Sequence, residues 1–385
     1  MKRTIVFIAA VSLLFFSFKK LDWGFYAHSK LNRLAVFTLP SNLIGFYKKH
    51  IDFIEREAVA PDKRRYASKH EAVRHYIDLD IWGAPPFENL PRNWVDALVS
   101  KTEIYVVNTK GDTTQFHDNQ LIDPSSYKFF FKNNLLKNYY EDEWIVDCDS
   151  FNKILKSPIK NCEKVFAVDK LSEYGILPWH LQSMQYRLTK AFEDRDFERI
   201  LRYSADFGHY IGDAHVPLHT TENYNGQFTN QRGIHGFWES RLPELYAETE
   251  YDFWVGQAEY IEDKEEFFWN IVLESHELVD SVLLIEKDLS LTFPEEQQYC
   301  VEERNTILTK MPCPEYARAF HERMDGMVEK RMRGTIFSIG CAWYTAWIDA
   351  GSPSLDFNTA SADIVEEETE NSFRKGKILG RSHDN

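Results

Sequence analysis

Histidines and carboxylates recur at fixed intervals over residues 209–239, and this series constrains the fold more than any other feature of the chain. His209 and Asp213 are four residues apart, and so are His235 and Glu239. Residues at positions i and i+4 of a helix share one face, so each pair can offer an imidazole and a carboxylate to one cation. Zinc takes these ligands at open, catalytic sites, whereas the thiolates of closed structural sites are absent from the series. The spacing therefore predicts a helical framework around a metal site.

His219 follows Asp213 by six residues, across the segment Val216-Pro-Leu. Proline disfavours the continuation of a helix through this point, so the chain is expected to bend there. The bend would direct His219 to a different place from His209 and would allow two neighbouring cations, with Asp213 between them. His215 falls between the ligand positions, and we interpret it as a structural residue or as a support for a ligand.

The chain has 385 residues, enough for one large domain or two modest ones, and its formal net charge is −15. A strongly acidic surface repels the phosphate backbone of nucleic acid, so sequence-independent binding to duplex DNA is not expected. A metal site is locally cationic whatever the net charge, so phosphate-containing substrates stay compatible with this composition. We expect a monomer.

Residues 1–22 are typical of an export signal. Lys2 and Arg3 precede Thr4–Phe18, an uncharged and largely apolar run that is short for a membrane span. We therefore expect an exported protein, either periplasmic or secreted, and an uncleaved N-terminal anchor is the alternative.

The five cysteines have no CxxC spacing, which disfavours thiol redox chemistry and cysteine-bound zinc. In an exported protein we favour the disulfides Cys148–Cys162 and Cys300–Cys313, because each closes a short loop. Cys341 lies in an apolar run with helical spacing, and we expect it to be a buried free thiol.

Helical patterns dominate the chain on both sides of one irregular stretch. The expected helical segments are 29–59, with a break at 38–41, then 181–192, 197–215, 238–289 and 315–349. Residues 84–170 contain a hairpin-like Ile104-Tyr-Val-Val followed by Lys110-Gly-Asp, and we expect an irregular insertion with a little strand. Loops are expected at 220–233 and 290–314, and a disordered polar tail at 351–385. The predicted fold is mostly α: a single multi-helix domain over residues 23–350, with a loop- and β-containing insertion.

Further ligand candidates lie upstream of this series. His28 opens the region after the export signal, and Asp62 precedes His75. Taken alone each is weak, since His28 fits an ordinary surface histidine and Asp62 fits a turn or a helix N-cap. Proximity to His75 in the sequence would favour Asp78 and Asp80 over Asp62 as ligands.

The ordered set of motifs resembles the three-zinc phosphodiesterase superfamily, which contains bacterial zinc-dependent phospholipases C and fungal-type single-strand-specific nucleases. The matching motifs are Trp-x4-His from Trp23, Asp…His-Tyr from Asp62 to Tyr76, His-x3-Asp-x5-His from His209, and His-x3-Glu from His235. The resemblance covers about residues 23–82 and 178–350, which is all but the insertion and the tail. Each motif alone is weak, but the ordered series is highly specific.

By position, the resemblance implies a helical domain that encloses two or three Zn²⁺ ions. The ligands implied for the first ion are Asp62, His75, His209 and Asp213. The ligands implied for the second ion are His219, His235 and Glu239. A third ion would be held by His28, by Asp213 as a bridge, and by the free amine and carbonyl of Trp23. Trp23 would coordinate through its amine only after processing directly before it, and Asp22 is an unusual residue to precede a signal-peptidase cut. Cleavage by a second protease and coordination without the amine are the alternatives.

The resemblance also implies phosphodiester hydrolysis, in which a metal-bound hydroxide attacks phosphorus. Asp62 would be the catalytic residue that accepts the water's proton. Arg65 and Arg74 would support a ligand carboxylate or contact phosphate, and a surface ion pair is the alternative for each. Tyr76 and Tyr224 are candidate substrate contacts, because exposed rings can stack on bases.

The favoured substrate class is phospholipid, cleaved in the manner of a phospholipase C. Glu239, where the nucleases usually have aspartate, and the helix end Trp347–Gly351 favour this interpretation. A single-strand nuclease or 3'-nucleotidase of the fungal type is the alternative, and the aromatic content of 15% favours it. A zinc-holding binding protein without turnover is the third hypothesis, which the nearly complete ligand set disfavours.

Overall fold

The computed structural model describes residues 25–117, 121–136, 144–304 and 307–355. The expected export signal, Trp23 and residues 356–385 of the expected tail lie outside these ranges. The described helices are α1 (Phe25–Ala35), α2 (Ser41–Lys49), α3 (Ile51–Glu57), α4 (Ala60–Arg64), α5 (Lys69–Ala72), α6 (Trp94–Lys101), α7 (Pro124–Phe130), α8 (Cys148–Asn152), α9 (Leu177–Glu193), α10 (Phe197–Ala214), α11 (Ile234–Gly236), α12 (Leu242–Tyr246), α13 (Lys264–Glu277), α14 (Val279–Thr292), α15 (Pro314–Arg323) and α16 (Met327–Asp349). The described strands are β1 (Thr102–Asn108), β2 (Thr113–Gln115), β3 (Trp144–Val146), β4 (Cys162–Asp169), β5 (Tyr299–Arg304) and β6 (Ile307–Pro312). The prediction of a mostly α fold is confirmed.

Helix α10 lies at the centre of the helical bundle. It begins after Asp196, whose side chain caps the helix by accepting a hydrogen bond from the Arg199 amide at 3.1 Å. Every residue from Phe207 to Ala214 is buried, because α1, α3, α9, α13 and α16 all pack against this helix. Polar groups on this half of α10 are therefore held in a rigid, water-poor environment.

Two glycines let α1 approach α10 closely. A Cβ atom at Gly208 would lie 2.0 Å from Asn32 Oδ1, and one at Gly212 would lie 2.8 Å from His28 Nδ1. Asn32 completes the contact by donating a hydrogen bond to the Ala205 carbonyl at 2.9 Å. The absence of side chains at these two positions brings His28 of α1 against the buried half of α10.

The insertion is more regular than the sequence predicted. The expected hairpin forms from β1 and β2, and two further strands complete an antiparallel sheet in the order β2-β1-β4-β3. One face of the sheet is buried, with Ile104 and Val106 of β1 beside Val165 and Ala167 of β4. Strand β4 was missed because Glu163 and Lys164 precede its two buried positions and Phe166 lies between them, so the apolar alternation is short.

The prediction of a loop over 290–314 is wrong, because β5 and β6 form an antiparallel hairpin there. Its inward side chains include Glu302 and Arg304, which pair with Arg241 and Glu244 of the helical body. A strand that buries ion pairs instead of apolar groups does not show the hydrophobic alternation by which strands are recognised in a sequence.

The helix expected over 238–289 is interrupted, since residues 247–263 are not helical. This segment runs across other elements, and they satisfy its backbone groups. The Ala258 amide donates to the Thr38 carbonyl at 2.8 Å, and the Ile261 amide donates to Thr345 Oγ1 at 2.9 Å. These tertiary hydrogen bonds replace the helical ones.

The helix expected over 315–349 is also broken. Asp325 and Gly326 have φ values of 47° and 73°, a left-handed conformation that separates α15 from α16 and that glycine adopts without strain. The break expected near 38–41 is confirmed, and a second one occurs at His50 between α2 and α3. No helix in the described ranges is long and apolar enough to cross a membrane.

The cysteine predictions are confirmed. Disulfides join Cys148 to Cys162 and Cys300 to Cys313. Cys341 is a buried free thiol in α16, and its sulfur accepts a hydrogen bond from the Glu259 amide at 3.2 Å.

Candidate metal centre

Imidazole and carboxylate groups from distant parts of the chain converge at the buried half of α10. Three sets have candidate ligand atoms within 4.8 Å of one another, and we call them the Asp62 group (Asp62, His75 and His209), the His28 group (His28, His209 and Asp213) and the Glu239 group (His219, His235 and Glu239). Every metal ligand predicted within the described ranges belongs to one of these groups. Trp23 lies outside those ranges, so its predicted ligand role stays a prediction.

The local fold explains how neighbouring residues reach different groups. His209 and Asp213 lie one turn apart on α10, as their spacing predicted. The helix ends at Ala214, and a 3₁₀ turn over Pro217–Thr220 redirects the chain, so that His219 joins the Glu239 group. The predicted bend at the proline is therefore observed.

Asp213 occupies the middle of the cluster. Its Oδ2 atom lies 2.9 Å from His75 Nδ1 and 3.3 Å from His209 Nε2. Its Oδ1 atom lies 3.5 Å from His28 Nε2 and 3.9 Å from His219 Nε2. Oδ2 is buried and makes no hydrogen bond within the described part of the chain. The two oxygens thus face different sets of histidines, which is the arrangement that a bridging carboxylate needs.

Glu239 has a similar double role that the sequence did not indicate. Its Oε2 atom lies 2.8 Å from His235 Nε2 and 3.3 Å from His219 Nε2. Its Oε1 atom lies 3.3 Å from His28 Nε2. The carboxylate therefore connects the Glu239 group to the His28 group.

Asp62 is the most solvent-exposed carboxylate of the three groups, with 19% of its side chain exposed against 2% for Asp213. Its Oδ1 atom lies 3.8 Å from both His75 Nδ1 and His209 Nε2. Arg65 is buried and places a guanidinium nitrogen 3.3 Å from the same oxygen. The structure therefore places Arg65 against a candidate ligand carboxylate.

Proximity in the sequence would have favoured the wrong aspartates. Asp78 and Asp80 belong to none of the three groups. The Asp80 carboxylate instead accepts a hydrogen bond from the Glu222 amide at 2.7 Å. Asp62 reaches the site because α4 packs against α10, a tertiary contact that spacing alone does not predict.

Backbone carbonyls orient three of the candidate ligand histidines. In each of them Nδ1–H donates a hydrogen bond to a backbone carbonyl, and Nε2 faces the cluster. The donor and acceptor residues are His209 and Ala58 (2.8 Å), His219 and His75 (2.5 Å), and His235 and Tyr224 (3.3 Å). Such hydrogen bonds fix both the tautomer and the ring direction of a ligand histidine.

The charges of the site favour a cation. Burial lowers the pKa of His75 and His209 well below the ordinary value, so both imidazoles are neutral at pH 7 and can act as ligands. Burial, followed by the charges of Asp62 and Glu239, raises the pKa of Asp213 well above its usual range. A divalent cation among these carboxylates would relieve their repulsion.

Glu239 differs from Asp213 in its electrostatic balance. Burial acts to raise its pKa, but the charge of His219 and hydrogen bonds from His219, His235 and His28 outweigh burial and hold the pKa well below the ordinary value. For the His219 imidazole, burial lowers the pKa, and the charge of Glu239 opposes that effect. The Glu239 carboxylate therefore stays ionised despite its burial.

The structure also places the predicted substrate contacts Tyr76 and Tyr224 and the predicted structural residue His215. Tyr76 is buried and its hydroxyl donates to the Glu173 carbonyl at 3.2 Å, while Tyr224 stands edge-on to His235 with ring centroids 6.1 Å apart. His215 is buried and donates from Nδ1 to the Ile211 carbonyl at 2.8 Å, in keeping with a structural role.

A buried carboxylate behind His75 was missed. Glu71 lies four residues before His75 and is 3% exposed. Arg74, for which support of a ligand carboxylate, a phosphate contact and a surface ion pair were all open, pairs with Glu71 Oε2 at 2.6 Å. Burial acts to raise the pKa of Glu71, but Arg64 and Arg74 hold it below the ordinary value. Helical spacing gave no signal for this pair, because α5 ends at Ala72 and His75 lies outside the helix.

No protein-family model matches the chain, and no curated protein matches it in sequence.

Proposed function

We propose that the protein is a zinc-dependent phosphoric diester hydrolase that acts on phospholipids in the manner of a phospholipase C. The observation that carries the proposal is the position of Asp213, whose two oxygens face His75 and His209 on one side and His28 and His219 on the other. A carboxylate shared in this way supports two or more neighbouring cations, the arrangement used in hydrolytic displacement at phosphorus.

The donor set fits zinc. Imidazole nitrogens and carboxylate oxygens are its usual ligands at catalytic sites, and the three groups offer no thiolate. The buried polar atoms His28 Nδ1 and Asp213 Oδ2 make no hydrogen bond in the described part of the chain. Asp213 Oδ2 in particular lies where a bound cation would satisfy it.

When bound, zinc ions lower the pKa of a coordinated water toward about 7, orient the phosphate and stabilise charge on the attacking and leaving oxygens. Asp213 and Glu239 would hold the groups together, and the histidines would complete them. Asp62 is suited to accept a proton from water, because its carboxylate is partly exposed and lies 3.8 Å from both His75 and His209. Arg65 keeps that carboxylate oriented.

Apolar residues near the Glu239 group support a lipid substrate. The loop over 221–233, whose Tyr224 carbonyl orients His235, carries Phe228 with 66% of its surface exposed. Lys287 of α14 donates to Thr229 of the same loop at 3.0 Å. Leu284 and Leu291 of α14 are 67% and 77% exposed, and the spacing of Leu284, Lys287 and Leu291 gives them one helix face. This surface suits contact with lipid.

A single-strand nuclease is a weaker candidate. Its stacking platforms require exposed rings, and the predicted substrate contact Tyr76 is only 5% exposed, although Phe228 offers one exposed ring. The net charge of −15 also opposes contact with a polyanion beyond the metal centre. Export is part of the proposal, and the two disulfides support an oxidising compartment.

The test supplies purified protein with a chromogenic phosphodiester, a phosphatidylcholine emulsion and single-stranded DNA, each with and without a chelator. We expect chelator-sensitive cleavage of the diester and the lipid. Cleavage of DNA without cleavage of lipid would replace the phospholipase by the nuclease. Stoichiometric zinc without any turnover would indicate a binding protein.

A further inference from the structure

His75 is oriented differently from the other ligand histidines that contact backbone carbonyls. Its Nδ1 atom, and not Nε2, faces the cluster, at 2.9 Å from Asp213 Oδ2 and 3.1 Å from His209 Nε2. Its Nε2 atom is buried and makes no hydrogen bond in the described part of the chain. The group in front of Nε2 is the Glu71 carboxylate, with Oε1 at 4.0 Å. The other histidines use a neutral carbonyl where His75 faces a charge.

Glu71 is held in place by three donors. The Tyr210 hydroxyl donates to Oε1 in a short hydrogen bond, and Arg74 donates to Oε2 at 2.6 Å. Arg64 reaches Oε1 at 3.4 Å while it also binds both carboxylate oxygens of Asp206, at 3.2 and 2.9 Å. The carboxylate is 3% exposed. It therefore has a fixed direction, and a fixed buried charge can orient a neighbouring dipole strongly.

We propose that Glu71 is a positioning residue that holds the proton of His75 on Nε2 and so keeps the Nδ1 lone pair directed at the Asp62 group. At 4.0 Å the carboxylate acts on the N–H through its charge and not through a hydrogen bond. A carboxylate behind a ligand imidazole fixes its tautomer and raises its basicity more than a carbonyl does.

This inference rests on the proposed metal centre but not on the proposed reaction, so zinc affinity tests it without an activity assay. Glu71→Gln removes the charge and keeps the shape. Asp206→Asn is the matched control, because it removes one negative charge from the same arginine network without touching His75. Competition with a chromogenic chelator should show zinc binding to E71Q weakened by about 10–100-fold for one ion, while D206N keeps the wild-type affinity.

Cobalt substitution gives a second readout, since the visible absorption of Co²⁺ responds to the geometry and basicity of its ligands. We expect the spectrum of cobalt-loaded E71Q to differ from wild type and that of D206N to match it. If E71Q does not fold, Tyr210→Phe removes a hydroxyl that fixes Glu71 and should weaken zinc binding by a smaller factor.

Two results overturn the proposal. The first is a folded E71Q variant whose zinc affinity and cobalt spectrum equal those of the wild type. If E71Q does not fold, the corresponding result is a Y210F variant with wild-type zinc affinity. The other is equal weakening in E71Q and D206N, which would assign the effect to the arginine network as a whole. A wild-type protein that binds no zinc would instead overturn the metal centre itself.

Discussion

The Asp62 group and the Glu239 group use similar side chains but are supported in different ways. The Asp62 group depends on a buried helix, α10, and on charged neighbours: Arg65 contacts Asp62, and Glu71 lies behind His75. The Glu239 group is built on a 3₁₀ turn and short helical segments, and backbone carbonyls orient its two histidines. If the groups bind metal as proposed, the first arrangement would favour firm retention of an ion, and the second would place an ion beside the loop over 221–233.

Two residues make the groups interdependent. Asp213 contributes one oxygen to each side of the cluster. His75 offers its ring to the Asp62 group, and its backbone carbonyl accepts the Nδ1 hydrogen bond of His219 in the Glu239 group. A shift of the segment around His75 would therefore disturb both groups. The following predictions test how far the two groups act as one site.

The largest effect is expected from Asp213→Asn, which removes the shared charge. Changes behind a metal ligand alone cost about 10–100-fold, so loss of the shared ligand should lower hydrolysis of a chromogenic phosphodiester by at least about 100-fold. Bound zinc, measured by elemental analysis, should decrease as well. Asp80→Asn is the matched control, because Asp80 contacts the Glu222 amide and belongs to no ligand group. D213N that retains all its zinc and its activity would show that Asp213 is not a bridge.

Metal removal is the second test. A ligand present at 100 times its Kd stabilises the folded state by about 2.7 kcal/mol, so a chelator should lower Tm by several degrees and added zinc should restore it. In His235→Gln the Glu239 group loses a ligand while the Asp62 group stays intact. The chelator effect on Tm should therefore be smaller in this variant than in wild type, but still present. A Tm that is equal with and without chelator in the wild-type protein would argue against structural coupling to a metal.

The sequence was sufficient for the parts of the site that depend on local spacing. His209 and Asp213, and likewise His235 and Glu239, lie where i,i+4 geometry puts them, and Pro217 bends the chain as expected. Asp62 was different, because spacing favoured its rivals and only the packing of α4 against α10 brings it to the cluster. Its placement by resemblance came from an ordered series of motifs and not from local chemistry.

Features that depend on tertiary contacts were missed. Gly208 and Gly212 matter because of what α1 places against them, and Glu71 matters because Tyr210 of α10 fixes it. The β5–β6 hairpin was hidden for a related reason, since its inward positions are charged. In each case the partner is distant in the chain, so neither propensity nor periodicity carries the information.

A pH series on metal-free protein compares the groups more finely. Burial lowers the pKa of His75 well below the value of about 6.5 that an unfolded chain gives, and lowers that of His219 against the opposing charge of Glu239. As pH falls below about 6.5, the unfolded state binds protons that the folded state does not, so the free energy of unfolding decreases by up to about 1.4 kcal/mol per pH unit for each such histidine. The raised pKa of Asp213 acts in the opposite sense, and its carboxylate is present in every protein compared.

Urea unfolding in chelator between about pH 7 and 5 measures this slope. We expect His75→Gln to flatten it clearly and His219→Gln to flatten it less, because Glu239 already offsets part of the burial effect at His219. His180, His209 and His215, whose pKa values burial also lowers, are present in all three proteins. Equal slopes in H75Q and H219Q would mean that the two groups do not differ in their electrostatic support.

The smallest effect tests whether the Glu239 group is the side that meets lipid. Phe228 is exposed on the loop beside it, and a fully buried phenylalanine side chain contributes about 1.5–3 kcal/mol, so partial insertion into lipid predicts that Phe228→Ser lowers cleavage of a phosphatidylcholine emulsion by about tenfold or less. Cleavage of a soluble chromogenic diester should not change, because Phe228 belongs to no ligand group. Phe129→Ser is the control, since Phe129 is similarly exposed, at 73%, on α7 of the insertion. Equal losses on both substrates in F228S would mean that the loop supports the metal centre, and equal losses on lipid in F228S and F129S would extend the lipid surface to the insertion.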